Sequence, residues 1–207
     1  VTALICNDER RNHDRDEITA PCLTVEPVEP FKENKLTFDV LAALIAGLAG
    51  TLVMTAMMTL AASAGLTQMP PMTLVAGSMM SEDPERAKRF GVMIHYIVMG
   101  TVVFGIVYAA LFAGLGSAAA LTGALIGAVH GIVVGAMAMP MMPAIHPRMT
   151  SSGSAARQPA VDITGGAVVL SAPGIFGSRW GAVTPIALVV GHVVYGVVAA
   201  LAYSSLV

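Results

Sequence analysis

Of the 207 residues, 56% are hydrophobic and 12% charged, with a mean hydropathy of +0.75, which lies outside the range of soluble domains and makes the chain an integral membrane protein. Its 11 Lys and Arg and 13 Asp and Glu leave a net charge of −2. The basic residues are spread thinly rather than gathered in a patch, so nucleic acid is excluded as a partner.

Residues 1–39 are read as an extended acidic arm ahead of a membrane domain at 40–207. The arm holds Asp8, Glu9, Asp14, Asp16, Glu17, Glu26, Glu29 and Glu33, with Pro21, Pro27 and Pro30. It is too acidic for an organelle transit peptide, and the first apolar run starts only near Leu41, so no cleaved leader is expected. Cys6 and Cys22 flank His13. Three such ligands are one short of a closed zinc site and their spacing fits no zinc pattern, so a disulfide or two free thiols is expected there.

Four stretches are apolar over the length a bilayer requires, near Leu41–Leu66, Gly91–Leu115, Ala118–Met142 and Ala182–Leu206. The predicted fold is all-α, with four transmembrane helices and both termini on one side. The short connection at Gly116 makes the second and third helices antiparallel neighbours. Loop 67–90 is expected to form a short interfacial or re-entrant helix at Thr73–Met80, after Pro70 and Pro71. Loop 143–181 passes from polar SSGSAARQ to GGAVVLSAPGIFGSRWG, and the second piece is expected to do the same.

An internal repeat relates the two halves. The first and third helices both run from glycines into methionines and then prolines, and HYIVMGTVVFGIVYAAL in the second resembles GHVVYGVVAALAY in the fourth. Two spans per unit give both halves one orientation, a 2+2 arrangement about an axis along the membrane normal. Arg86, Lys88, Arg89, Arg148, Arg157 and Arg179 lie in loops 67–90 and 143–181, against Lys32 and Lys35 near a span and the more distant Arg10, Arg11 and Arg15 on the other side. The positive-inside rule therefore puts both loops in the cytoplasm and the arm outside.

No span carries an Asp, Glu, Lys or Arg near its middle, so the charge relays of proton-coupled pumps are absent. Neither a nucleophile elbow nor a glycine-rich phosphate loop is present, and no residue is assigned a catalytic role. Histidine and methionine remain. His95, His130 and His192 fall on the second, third and fourth helices and His146 just beyond the third, while all 14 methionines fall in the half of the membrane that meets loops 67–90 and 143–181.

Helical spacing aligns Gly123, Gly127, His130, Val134, Met137 and Met141 on the third helix, and Gly91, His95 and Met99 on the second. Gly47, Gly50, Met54 and Met57 align on the first, and Leu188, His192, Tyr195 and Ala199 on the fourth. Glycines at Gly47, Gly50, Gly123 and Gly127 let membrane helices approach closely. One reading makes His95, His130, His192 and His146, with Met99, Met137 and Met141, the ligands of copper or haem. The other makes each histidine a donor to a neighbouring helix and each methionine soft packing. Arg148 in HPRM suits the headgroup region.

At GHVVYGVVAALAY, GALIGAVHGIVVGAMAMPMMPAIHPRM and GLAGTLVMTAMM the chain resembles an uncharacterised family of small prokaryotic multi-pass membrane proteins, over about Leu41–Tyr203. The resemblance implies a four-helix membrane fold and brings no activity; the cysteine-bearing arm departs from it. Three functions follow as expectations. The first is a non-catalytic subunit packed against other membrane subunits in a respiratory, photosynthetic or monooxygenase-type complex of the cell membrane. The second is a copper- or haem-binding protein, and the third a small-molecule or lipid transporter using the repeat and re-entrant loops.

Overall fold

The computed structural model describes residues 36–150 and 160–207. The arm through residue 35, with Cys6, His13 and Cys22, lies outside the described residues, as does the polar segment 151–159 with Arg157. Among the described residues four helices are long and apolar enough to cross a membrane: Val40–Ser63, Pro84–Leu115, Ala120–Ile145 and Thr184–Ser204. They are called here the first to fourth spans. The protein is a multi-pass integral membrane protein.

Local chemistry sets the span ends. The Asp39 carboxylate accepts the Ala42 N–H at 2.7 Å and caps the first span. The second span begins at Pro84 rather than Gly91, because Asp83 caps the Arg86 N–H at 2.8 Å and proline suits the first helical position. It ends at Gly116, whose φ of 64° is the left-handed conformation that closes a helix.

The helices cross where glycine removes side chains. A Cβ placed on Gly47 would lie 2.6 Å from the Gly105 Cα, and one on Gly123 would lie 2.8 Å from the Gly196 carbonyl carbon. The first span thus crosses the second as the third crosses the fourth. Gly105 and Gly196 sit at corresponding places in the repeated motifs, FGIVYAAL and YGVVAAL. Gly50 admits the Tyr195 ring, and so joins one unit to the other.

Two cores result. One, at the end remote from the long loops, packs Tyr108, Phe112, Tyr195 and Tyr203 among Ala43, Ala46 and Ala199. There the Tyr203 hydroxyl donates to the Thr37 carbonyl and accepts the Asp39 N–H, both at 2.9 Å. The other core, beneath the long loops, gathers Met58, Met139, Leu170, Trp180 and Leu188.

The loops differ from each other. Loop 67–90 contains a helix at Met72–Ser78, pressed against the head of the second span where Gly77 meets the Ala87 carbonyl and Gly91 meets Thr73. The corresponding piece of loop 143–181 starts as a strand rather than an α-helix. Met149–Thr150 (β1), Val161–Thr164 (β2) and Ala167–Ser171 (β3) form a small sheet in the order β1-β3-β2, with β3 parallel to β1 and antiparallel to β2.

Gly165 and Gly166, both at positive φ, supply a two-residue hairpin turn. Val168, Val169 and Leu170 then alternate buried, exposed, buried as strand residues do. A 3₁₀ turn at Ile175–Trp180 follows. The two loops are stitched together: the Gln68 N–H donates to the Trp180 carbonyl at 2.7 Å, the Thr67 and Thr184 hydroxyls lie 2.6 Å apart, and the Val168 N–H donates to the Glu82 carbonyl at 2.9 Å.

Candidate functional site

Between the two cores the spans form a cavity of about 270 Å³ lined by His95, His130 and His192, together with Met54, Met69, Met72, Met99, Met139 and Met142. Phe104, Tyr195 and Leu188 complete much of its wall. Three imidazoles and six thioethers around one small space are an unusual concentration of soft donors, since apolar pockets in membrane bundles need none.

The backbone reaches this arrangement through two π-helical stretches, Met93–Phe104 in the second span and Val134–Ala138 in the third. A π turn holds about one residue more than an α turn, so side chains recur every four to five positions. On the second span that spacing aligns His95, Met99, Gly100 and Phe104 on the cavity. The Thr101 hydroxyl donates to the Tyr96 carbonyl five residues back, at 2.8 Å, and reinforces the wide turn. On the third span Pro140 lacks an N–H, and in an α turn its ring would strike the carbonyl of Ala136; the wider turn just before it removes that conflict.

His130 and His192 meet edge to face, with ring centroids 4.6 Å apart. The His192 Nδ1–H donates to the Leu188 carbonyl at 2.8 Å, so the lone pair is on Nε2. A backbone carbonyl on the remote nitrogen is the arrangement that orients a histidine ligand. The Gly127 crossing against the His192 carbonyl keeps this stretch of the fourth span tight against the third.

His130 Nδ1 lies 3.1 Å from the Tyr108 hydroxyl, and its ring packs against Phe104 with centroids 4.3 Å apart and planes tilted by 39°. Its Nε2 is buried and has no hydrogen-bond partner among the described residues. Such a nitrogen costs about 1–3 kcal/mol if left alone and asks for a water, an ion or a ligand. His95 Nε2 lies 3.0 Å from the Thr55 hydroxyl.

Four of the seven expected ligands, His95, His130, His192 and Met99, line the cavity. Met137 and Met141, 59% and 56% exposed, point away from the bundle. The π turn rotates the helix after Val134, so Ala138, Met139 and Met142 take the inward positions instead. His146 is buried elsewhere. Its Nε2–H donates to the Val75 carbonyl at 2.9 Å and its Nδ1 accepts the Arg148 N–H at 3.2 Å, so it ties the two loops together.

Gly47, Gly50, Gly123 and Gly127 face other spans of this chain. Tyr108 and Phe104 escaped the sequence reading because an α-helical wheel turns them away from His95.

The donor set decides what could bind. Among the described residues no three His, Cys, Asp or Glu side chains converge as a hard or borderline ion requires. Two imidazoles with thioethers suit Cu(I) or another soft monovalent ion. A haem held between His130 and His192 does not fit, because the porphyrin plane would have to pass between rings already in edge contact. Residues 37–157 match a family of unknown function, DUF6789. No curated protein and no solved structure gives a significant match.

Proposed function

The chain belongs to this family of unknown function, and on the geometry of its own buried imidazoles we propose that it binds a soft monovalent metal ion, Cu(I) in character, between the third and fourth spans. His192 Nε2 and His130 Nε2 are the nitrogen ligands, and the methionines of the cavity wall supply thioether. The observation that carries this reading is the buried, unpartnered Nε2 of His130 beside the already oriented His192. Arg86, Lys88, Arg89, Arg148 and Arg179 support a cytoplasmic location for the two long loops.

Purified full-length protein titrated with Cu(I) against a chromophoric chelator is expected to take up one equivalent. His192→Ala is expected to weaken binding about 100-fold, at the upper end of the effects seen when metal-supporting residues are removed. Uptake that does not differ between wild type and His192→Ala overturns the assignment.

A second reading, a non-catalytic subunit of a larger membrane complex, is supported by the third span. Only 22% of its apolar window is buried, and Leu121, Leu125, Val129, Ile132 and Met137 form an uncovered outer face. Lipid covers such a face equally well. Protein extracted from its native membrane in mild detergent is expected to migrate with other polypeptides on this reading; migration alone as a monomer rules it out.

A further inference from the structure

We propose that the ion loads and leaves through a mouth beneath loop 67–90, with His95 as a relay ligand rather than a member of the final site; this rests on the soft-metal reading above. A second cavity of about 200 Å³ lies between the last turns of the first span and the head of the second, where Thr55, Thr59 and Tyr96 line it. It shares Met54, Met69, Met72 and His95 with the inner cavity. Those four side chains are the partition between the two spaces, and each is of a type that binds Cu(I).

The partition is built to give way. Unbranched thioethers change rotamer at little cost. His95 gives up one hydrogen bond, to Thr55, when it turns to an ion. The opposite end is closed: Tyr108, Phe112 and Tyr203 are at most 2% exposed there, and both units cross with glycine backbone against glycine backbone.

An ion in the inner cavity therefore finds soft donors toward loop 67–90 and a packed aromatic end on the opposite side. It keeps its single charge throughout and exchanges one imidazole or thioether for the next, so no electron or proton acceptor takes part.

The test is stopped-flow loading of full-length protein in micelles with Ag(I), followed by release to a chelator. His95→Leu keeps bulk and removes the nitrogen. It is expected to leave stoichiometry and Kd unchanged while slowing loading and release alike by about tenfold, the scale on which a metal-contact partner acts. Met72→Leu, a second partition residue, is expected to slow both in the same sense.

Unchanged rates in both variants overturn the route. A weaker Kd with faster release in His95→Leu also overturns it and makes His95 a ligand of the final site. Wild-type protein that takes up no ion removes the metal reading itself, and the route with it.

Discussion

Gly123→Val is expected to lower the unfolding free energy by about 3 kcal/mol, the upper end of the cost of inserting bulk into a packed interior. The position has no slack. A Cβ on Gly123 would overlap the Gly196 carbonyl and lie 2.7 Å from the Ala200 Cβ, and a Cβ on Gly196 would in turn overlap the Gly123 carbonyl. The two carbonyls are helix backbone, which cannot swing aside as a side chain can, so the third and fourth spans must separate and His130 must leave His192.

Gly114→Ala is the matched control, because nothing lies within 4 Å of a Cβ there. Alanine at that helical position is expected to be neutral or to stabilise by up to about 1 kcal/mol. Unfolding in mixed micelles with increasing SDS measures both. Equal effects would mean that the crossing does not sit at Gly123.

The second large effect separates the two readings of the buried histidines. If His130 were only adhesive between helices, removing it would cost stability. If it is an empty ligand, removing it relieves a nitrogen that has nothing to bond. Because His130→Leu alone would strand the Tyr108 hydroxyl 3.1 Å away, the informative variant is His130→Leu with Tyr108→Phe, which deletes both partners and keeps an apolar fill. In metal-free protein this pair is expected to match or exceed wild-type stability, by up to about 2 kcal/mol, since replacing both polar partners is near neutral and the orphaned nitrogen is gone.

Cu(I) binding in the same variant is expected to fall at least about 100-fold. Chelator competition measures the second quantity and SDS unfolding the first. A destabilised variant that still binds copper would assign the histidine to packing.

Hydropathy made the four spans legible, because a bilayer demands an apolar run whose length no other environment requires. The inward faces of the first and fourth spans were also legible: Gly47, Gly50 and Met54, and then Leu188, His192, Tyr195 and Ala199, fall where α-helical spacing places them. On the second and third spans the same arithmetic places His95, Met99, His130 and Val134 where they are found, but it misses Phe104 and turns Met137 and Met141 to the wrong side. Nothing in MIHYIVMGTVVF announces a run of wide turns, and the extra residue per turn carries Phe104 into the site and Met137 out of it. Pro140 was the one visible hint, since a proline deep in a span must be accommodated by some local departure.

The sheet in loop 143–181 was missed for another reason. GGAVVLS is too short for its period to be distinguished from a buried helical turn, and the paired glycines, which mark a hairpin, were the better guide. The remaining wall of the cavity, Tyr108 above all, depends on which helices become neighbours, and that follows from glycine crossings between distant parts of the chain.

The hydroxyl of Tyr203 joins the final turn of the fourth span to Thr37 and Asp39 at the start of the first. The end of the fourth span is therefore held beside the start of the first. A circular permutant that enters at Ser117 and carries a short linker from Ser205 to Leu36 would keep every glycine crossing and both halves of the histidine pair.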